Sequence, residues 1–114
     1  MTKNDILRRI RYTFDFSDDK MITIFALANH KVTRAEISDW MKREEDPAYK
    51  ILYDDELAVF LNGLIIEKRG RKEGPVPKPE KKLTNNVILK KLQIALNLRS
   101  EELLDVMMLA DLKV

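Results

Sequence analysis

Residues 84–96, TNNVILKKLQIAL, restate residues 2–14, TKNDILRRIRYTF, without a gap, and this repetition decides how the chain reads. At the same offset of 82 the match runs on to residue 114. Thr84, Asn86, Ile88, Leu89, Leu109, Ala110, Lys113 and Val114 meet Thr2, Asn4, Ile6, Leu7, Leu27, Ala28, Lys31 and Val32. Self-similarity at a fixed period indicates a repeated supersecondary unit. Here the unit reads as a helix pair, present in full and continued in the first copy, and without that continuation in the second.

The periodicity on either side is helical throughout. Ile6, Leu7, Ile10 and Phe14 recur at three- and four-residue spacing, the apolar stripe of a helix that Thr2 or Asn4 can cap. Ser17, Asp18 and Asp19 put a cap and negative charge ahead of a second helix at 21–28, where the dipole favours anions. Thr33-Arg34-Ala35-Glu36 reads as a capping box for a third helix, about 34–43. Residues 44–53 read as a loop holding Pro47. Asp54-Asp55-Glu56 opens a fourth helix with a stripe of Leu57, Phe60, Leu61, Leu64 and Ile65, stopped at Gly70. Thr84 caps a fifth, with Ile88, Leu89, Leu92, Ala95 and Leu96 on its apolar side. Ser100 caps a sixth, carrying Leu103, Leu104, Met107 and Met108. No segment alternates as a strand would, so the expected fold is all-α. It comprises a four-helix unit over 1–70, a basic Pro/Gly linker over 71–83 and a helical hairpin over 84–114.

Composition bounds the function classes. A hydrophobic content of 45% with 35% charged residues belongs to a folded chain rather than a disordered one. The longest uncharged runs, 21–30 and 57–66, are ten residues each, whereas a membrane span needs about 20. With no cysteine there is neither a disulfide nor a thiolate metal site. No secretory leader is evident at the start, so a cytoplasmic protein is expected. The net charge of +2 hides a pattern: residues 34–66 carry −4 and residues 67–91 carry +6.

Four separated blocks, NDILRRIRY (4–12), MKREEDPAY (41–49), FLNGLIIEKRG (60–70) and NVILKKLQIAL (86–96), resemble in order the YehS-like family of uncharacterised bacterial proteins, domain of unknown function 1456. The resemblance implies a bacterial cytoplasmic protein built from two tandem copies of one domain. The chain departs from that pattern in lacking the later half of the second copy. The resemblance brings no catalytic or binding residues with it.

Chemistry is sparse. The one histidine, His30, would have to work with Ser17, Ser38 or Ser100, and none sits in a nucleophile elbow. His30 reads instead as part of the turn between helices two and three. Three glycines form no phosphate loop. The clusters Glu44-Glu45-Asp46 and Asp54-Asp55-Glu56 lack calcium-loop spacing, and the second reads as helix-dipole charge. No enzyme activity, cofactor or metal is expected.

Two binding readings follow. Residues 27–43 resemble a helix-turn-helix, with Val32 as the buried turn residue, Thr33 as cap, Ile37 and Trp40 buried, and Lys31 at the turn position where glycine is common. The corner of an ordinary helical bundle would look the same. In the nucleic-acid reading the contacts are Arg34, Ser38 and Lys42 on helix three, with Arg69, Arg71 and Lys72 from the basic connector. Glu36 and Asp39 oppose phosphate there, and the connector has no aromatic for base stacking. In the preferred reading the chain is an interaction or assembly module. Helices five and six must pack on something, either the first four helices or a second copy. Leu103, Leu104, Met107, Met108 and Leu112 are then the self-association surface of a homodimer.

Overall fold

Each helix begins where a side-chain oxygen satisfies a backbone N–H that would otherwise lack a partner. The computed structural model describes residues 2–70 and 78–96. Thr2 Oγ1 accepts from Asp5 N at 3.1 Å, the Asp5 carboxylate accepts in turn from Thr2 N at 3.0 Å, and α1 runs Lys3–Phe14. Ser17 Oγ accepts from Lys20 N ahead of α2, Asp18–Leu27. Thr33 and Glu36 exchange the same reciprocal pair ahead of α3, Arg34–Met41. Glu56 accepts from Tyr53 N at the start of α4, Asp54–Arg69. Thr84 Oγ1 accepts from Val87 N at the start of α5, Asn85–Leu96.

The fold is all-α, and the predicted elements appear with shifted ends. Asn4 lies inside α1 rather than capping it. The second helix begins three positions before residue 21. The third stops at Met41, short of 43, because Lys42 is extended with ψ 160°. Gly70 closes α4 at φ 83°, its N–H donating to Ile66 O at 2.8 Å. The expected sixth helix lies outside the described residues.

Helix α4 is the axis of the bundle. Its residues 57–64 are buried without interruption, so it is enclosed on all sides rather than along one stripe. Helix α2 runs antiparallel to it: Lys20 pairs with Glu67, and one turn further along α2 the backbone of Ile24 lies against Gly63. A Cβ at Gly63 would fall 1.9 Å from the Ile24 carbonyl oxygen, so only glycine permits this approach. Helix α1 runs parallel to α4, with Lys3 near Asp54 at one end and the Phe16 ring under Lys68 at the other. The core closes on Phe25, whose ring lies 5.4 Å from Trp40 and 5.2 Å from Phe60.

Of the two fates open to the fifth helix, the structure takes the intramolecular one: α5 packs on α4. Leu83 N donates to Asp54 Oδ2 at 2.7 Å and Lys91 Nζ to Asn62 Oδ1 at 2.6 Å, both pairs being 29 positions apart. Constant separation along both helices means that α5 runs parallel to α4. Leu83 therefore lies at the opposite end of α4 from Gly70, a helix about 24 Å long at 1.5 Å per residue. Ile88, Leu89, Leu92 and Ala95 are buried, as their stripe predicts. Each of the larger three contributes about 1.5–3 kcal/mol by leaving water.

Candidate interaction surfaces

The corner between α2 and α3 was the sharpest sequence candidate. Val32 is buried, Thr33 caps, and Ile37 and Trp40 are fully buried. The left-handed turn residue is Asn29, at φ 63°, not Lys31. Asparagine tolerates this conformation better than other non-glycine residues, which was the signal to follow. His30 sits in the turn, its ring 5.9 Å from Phe25.

Most charges on this corner are paired with one another at the surface. Arg34 pairs with Asp19 and reaches Asp18 at 4.0 Å, while Asp18 also holds Arg11 at 2.6 Å. Lys42 Nζ bonds Asp39 at 2.7 Å and Ser38 Oγ at 3.2 Å. Lys50 bonds Glu36 at 3.3 Å and lies over the Trp40 ring. Arg34 and Ser38 thus share α3 and Lys42 follows its last residue, and each is occupied by a partner in the same chain. Burial raises the Glu36 carboxyl, yet the Thr33 N–H, the Lys50 ammonium and the Thr33 hydroxyl outweigh it and hold the group below its ordinary value.

Lys31 and Arg43 of the same segment are exposed without an ion pair among the described residues. Arg69, Lys78, Lys81, Lys82 and Lys90 are exposed and carry no ion pair among the described residues. Arg71 and Lys72 lie outside the described residues, as do Leu103, Leu104, Met107, Met108 and Leu112.

The seam between α4 and α5 contains a polar cluster with no local sequence signature. Lys91 reaches into the seam, bonding buried Asn62 and pairing with Glu80 at 3.2 Å. Asn62 Nδ2 and Glu80 Oε2 are buried there without a partner among the described residues. In α1, Arg8 likewise bonds groups of its own chain, Asp5 and the Lys42 carbonyl.

The segment after α3 is strapped to the bundle by Asn4, a residue that sequence reasoning assigned only a capping role. Asn4 Nδ2 donates to Trp40 O at 3.0 Å and to Lys50 O at 2.8 Å, and its Oδ1 accepts from Leu52 N at 2.8 Å. Lys50 N donates to Asp39 O at 3.2 Å. With Leu52 buried, Ile51 and Tyr53 point outward, 56% and 62% exposed. An open cleft of about 480 Å³ lies beside them, lined by Lys3, Glu44, Tyr49 and Ile51 among others. Among the described residues no three His, Asp or Glu side chains converge as a metal site requires, and no helix is long and apolar enough to cross a membrane.

Comparison with known proteins adds family but not activity. A family model described as a protein of unknown function, DUF1456, matches residues 3–70. The chain is 39% identical over 108 residues to the uncharacterised protein YehS of Escherichia coli (strain K12), a match covering 94% of this chain and 69% of that protein. No solved structure matches. The blocks at 4–12, 41–49 and 60–70 fall inside the matched region and supply its α1 clasp, its strap and its central helix; on this match the chain belongs to the DUF1456 family of uncharacterised proteins.

Proposed function

We propose that the chain is a non-enzymatic interaction module whose partner is a second copy of itself. The observation that carries this reading is the way α5 is held. A helix beyond a connector docks by an apolar face, Ile88, Leu89, Leu92 and Ala95, in parallel register on α4. Docking of that kind can equally be supplied by another chain. The apolar residues following it, Leu103, Leu104, Met107, Met108 and Leu112, extend the same chemistry in sequence. Sedimentation equilibrium over a wide concentration range tests the reading. Mass-action dimerisation is expected, and a monomer at high micromolar concentration removes the proposal.

A second reading, nucleic-acid binding, is favoured by one observation: Arg69, Lys78, Lys81, Lys82 and Lys90 are solvent-facing without ion pairs among the described residues. Within the segment 27–43, Arg34 and Lys42 are paired with Asp19 and Asp39, while Lys31 and Arg43 are exposed without an ion pair among the described residues. Binding carried by the connector would lack sequence preference and would weaken linearly in log–log salt titration. Absent or salt-independent binding of duplex DNA eliminates this reading.

A further inference from the structure

The seam between α4 and α5 holds an amine, a side-chain amide and a carboxylate in mutual contact. Lys91 Nζ donates to Asn62 Oδ1 at 2.6 Å and pairs with Glu80 Oε1 at 3.2 Å. An ammonium group only donates, which fixes the amide oxygen as the atom that faces it. The amide carbon stands one bond behind that oxygen, so Nζ and Asn62 Cγ are no more than about 3.8 Å apart. A nucleophile, an electrophilic carbon and a base within hydrogen-bond reach are the parts that amide exchange requires.

The surroundings suit that chemistry. Asn62 is 4% exposed, and Leu61 beside it and Ile88 and Leu92 beside Lys91 are fully buried. The Lys91 side chain is itself only 15% exposed, so little water competes for its nitrogen. Asn62 Nδ2, the group that would leave, makes no hydrogen bond among the described residues. The amide can therefore turn about Cβ–Cγ and present its carbon to Nζ. Glu80 Oε2 is likewise buried without a partner among the described residues, and so can carry a proton. The two reacting side chains stand on packed helices, which converts their encounter into an intramolecular one.

We infer that Lys91 and Asn62 join in an isopeptide bond, with Glu80 as the catalytic residue. Lys91 gives one ammonium proton to Glu80, which frees the electron pair on its nitrogen. That pair forms the new bond to Asn62 Cγ, and the carbonyl electrons move to Oδ1. As the carbonyl re-forms, the Cγ–Nδ2 bond breaks with its electrons on Nδ2. Two of the three lysine protons pass by way of Glu80 to Nδ2, which departs as an ammonium ion, and the third stays on the new amide. Glu80 ends as the carboxylate it began as, and nothing is oxidised or reduced. The bond closes residues 62–91 into a covalent loop and locks α5 on α4. In a chain without cysteine it takes the place that a disulfide would hold. It stands independently of the self-association proposed above.

The intact mass of the folded full chain, incubated at neutral pH and then denatured, tests this directly. The mass should fall below that of the sequence by one ammonia molecule. A tryptic digest should contain one branched peptide joining the segments around Asn62 and Lys91, with no cleavage after Lys91. Lys91→Met should keep its full mass. Glu80→Gln, with its helical content checked by circular dichroism, should form the bond at least about a hundredfold more slowly. A wild-type chain of full mass overturns the inference. So does a loss of ammonia that persists in Lys91→Met, which marks a succinimide at Asn62-Gly63 instead. A branched peptide that forms equally fast in Glu80→Gln overturns the role given to Glu80.

Discussion

Asp54 holds Leu83: the Leu83 backbone N–H donates to Asp54 Oδ2 at 2.7 Å, while the other carboxylate oxygen faces Lys3 Nζ at 3.7 Å. One side chain at the start of the central helix therefore anchors the approach to α5 and the beginning of α1. This contact also sets the parallel register of α5, which the Lys91–Asn62 bond repeats further along. A cap carboxylate that appears in the sequence as dipole charge is, in three dimensions, the point where the two similar segments meet.

Asn4 should be the most sensitive polar position. Asn4→Ala leaves Leu52 N–H, Trp40 O and Lys50 O to find new partners. An orphaned buried donor alone costs about 1–3 kcal/mol. Asn4→Asp keeps the acceptor for Leu52 N but loses both donated bonds, so it too should destabilise. Urea unfolding of the two variants measures this, and a change below a few tenths of a kcal/mol in Asn4→Ala would contradict the clasp.

Gly63→Ala sets two effects against each other. Helix propensity favours alanine by about 1 kcal/mol. The new Cβ, however, would lie 1.9 Å from Ile24 O, a backbone atom of the facing helix. Separating α2 from α4 there outweighs propensity, because overpacking costs about 1–3 kcal/mol and this contact involves main chain. A lowered denaturation midpoint is expected, and an unchanged or raised one would refute the close approach.

The Lys91 cluster should behave as a coupled unit. Lys91→Met strips Asn62 Oδ1 and Glu80 of their partner, and Asn62→Leu removes the amide that Lys91 bonds. The double variant should lose less than the sum of the singles, with a coupling of about 0.5–3 kcal/mol in a double-mutant cycle. Strict additivity would mean that the two side chains do not interact in solution.

Acid stability should depend on two cap carboxylates. Burial raises Asp5, but the Thr2 N–H, the Thr2 hydroxyl and the Arg8 guanidinium together hold it below its ordinary 3.8. Glu36 is held below its ordinary 4.5 in the same manner. A depressed folded value means that the contribution is present above those ordinary values and is lost as pH falls through the folded ones. Stability should therefore decline below about pH 4.5, and Asp5→Asn with Glu36→Gln should flatten that decline. Urea midpoints measured from pH 6 down to about pH 2.5 decide the matter.

A core substitution tests whether α5 docks in solution. Leu92→Ala removes a fully buried side chain from the seam and should cost about 2–5 kcal/mol. Exchange of α5 amide hydrogens should accelerate relative to those of α2. Unchanged protection would mean that α5 gains nothing from α4.

How much of this was legible in the sequence follows the range of the forces involved. Helix starts at Thr2, Ser17, Thr33 and Thr84 were readable because a cap and the N–H it satisfies lie within three residues. The buried stripes of α1 and α5 were readable because a one-sided helix prints its 3.6-residue period on the chain. Burial along α4 was only half legible, since its sequence cannot tell how many neighbours will enclose it. Asn29 was missed because a turn conformation was sought at Lys31, from motif position rather than from residue chemistry.

The sequence by itself determined that this is an all-helical chain and where most of its helices start. Those features depend on backbone hydrogen bonding and apolar period, which act over a turn or two. Only the tertiary structure decided the parallel course of α5 on α4, the clasp at Asn4, the glycine contact at Gly63 and the inward turn of Lys91. It also decided that Arg34 pairs with Asp19 while Ile51 and Tyr53 stay in the open. Each of these joins residues 15 to 48 positions apart or sets a side chain against a surface built by other elements. No local pattern encodes such a meeting, because it exists only once the helices have packed.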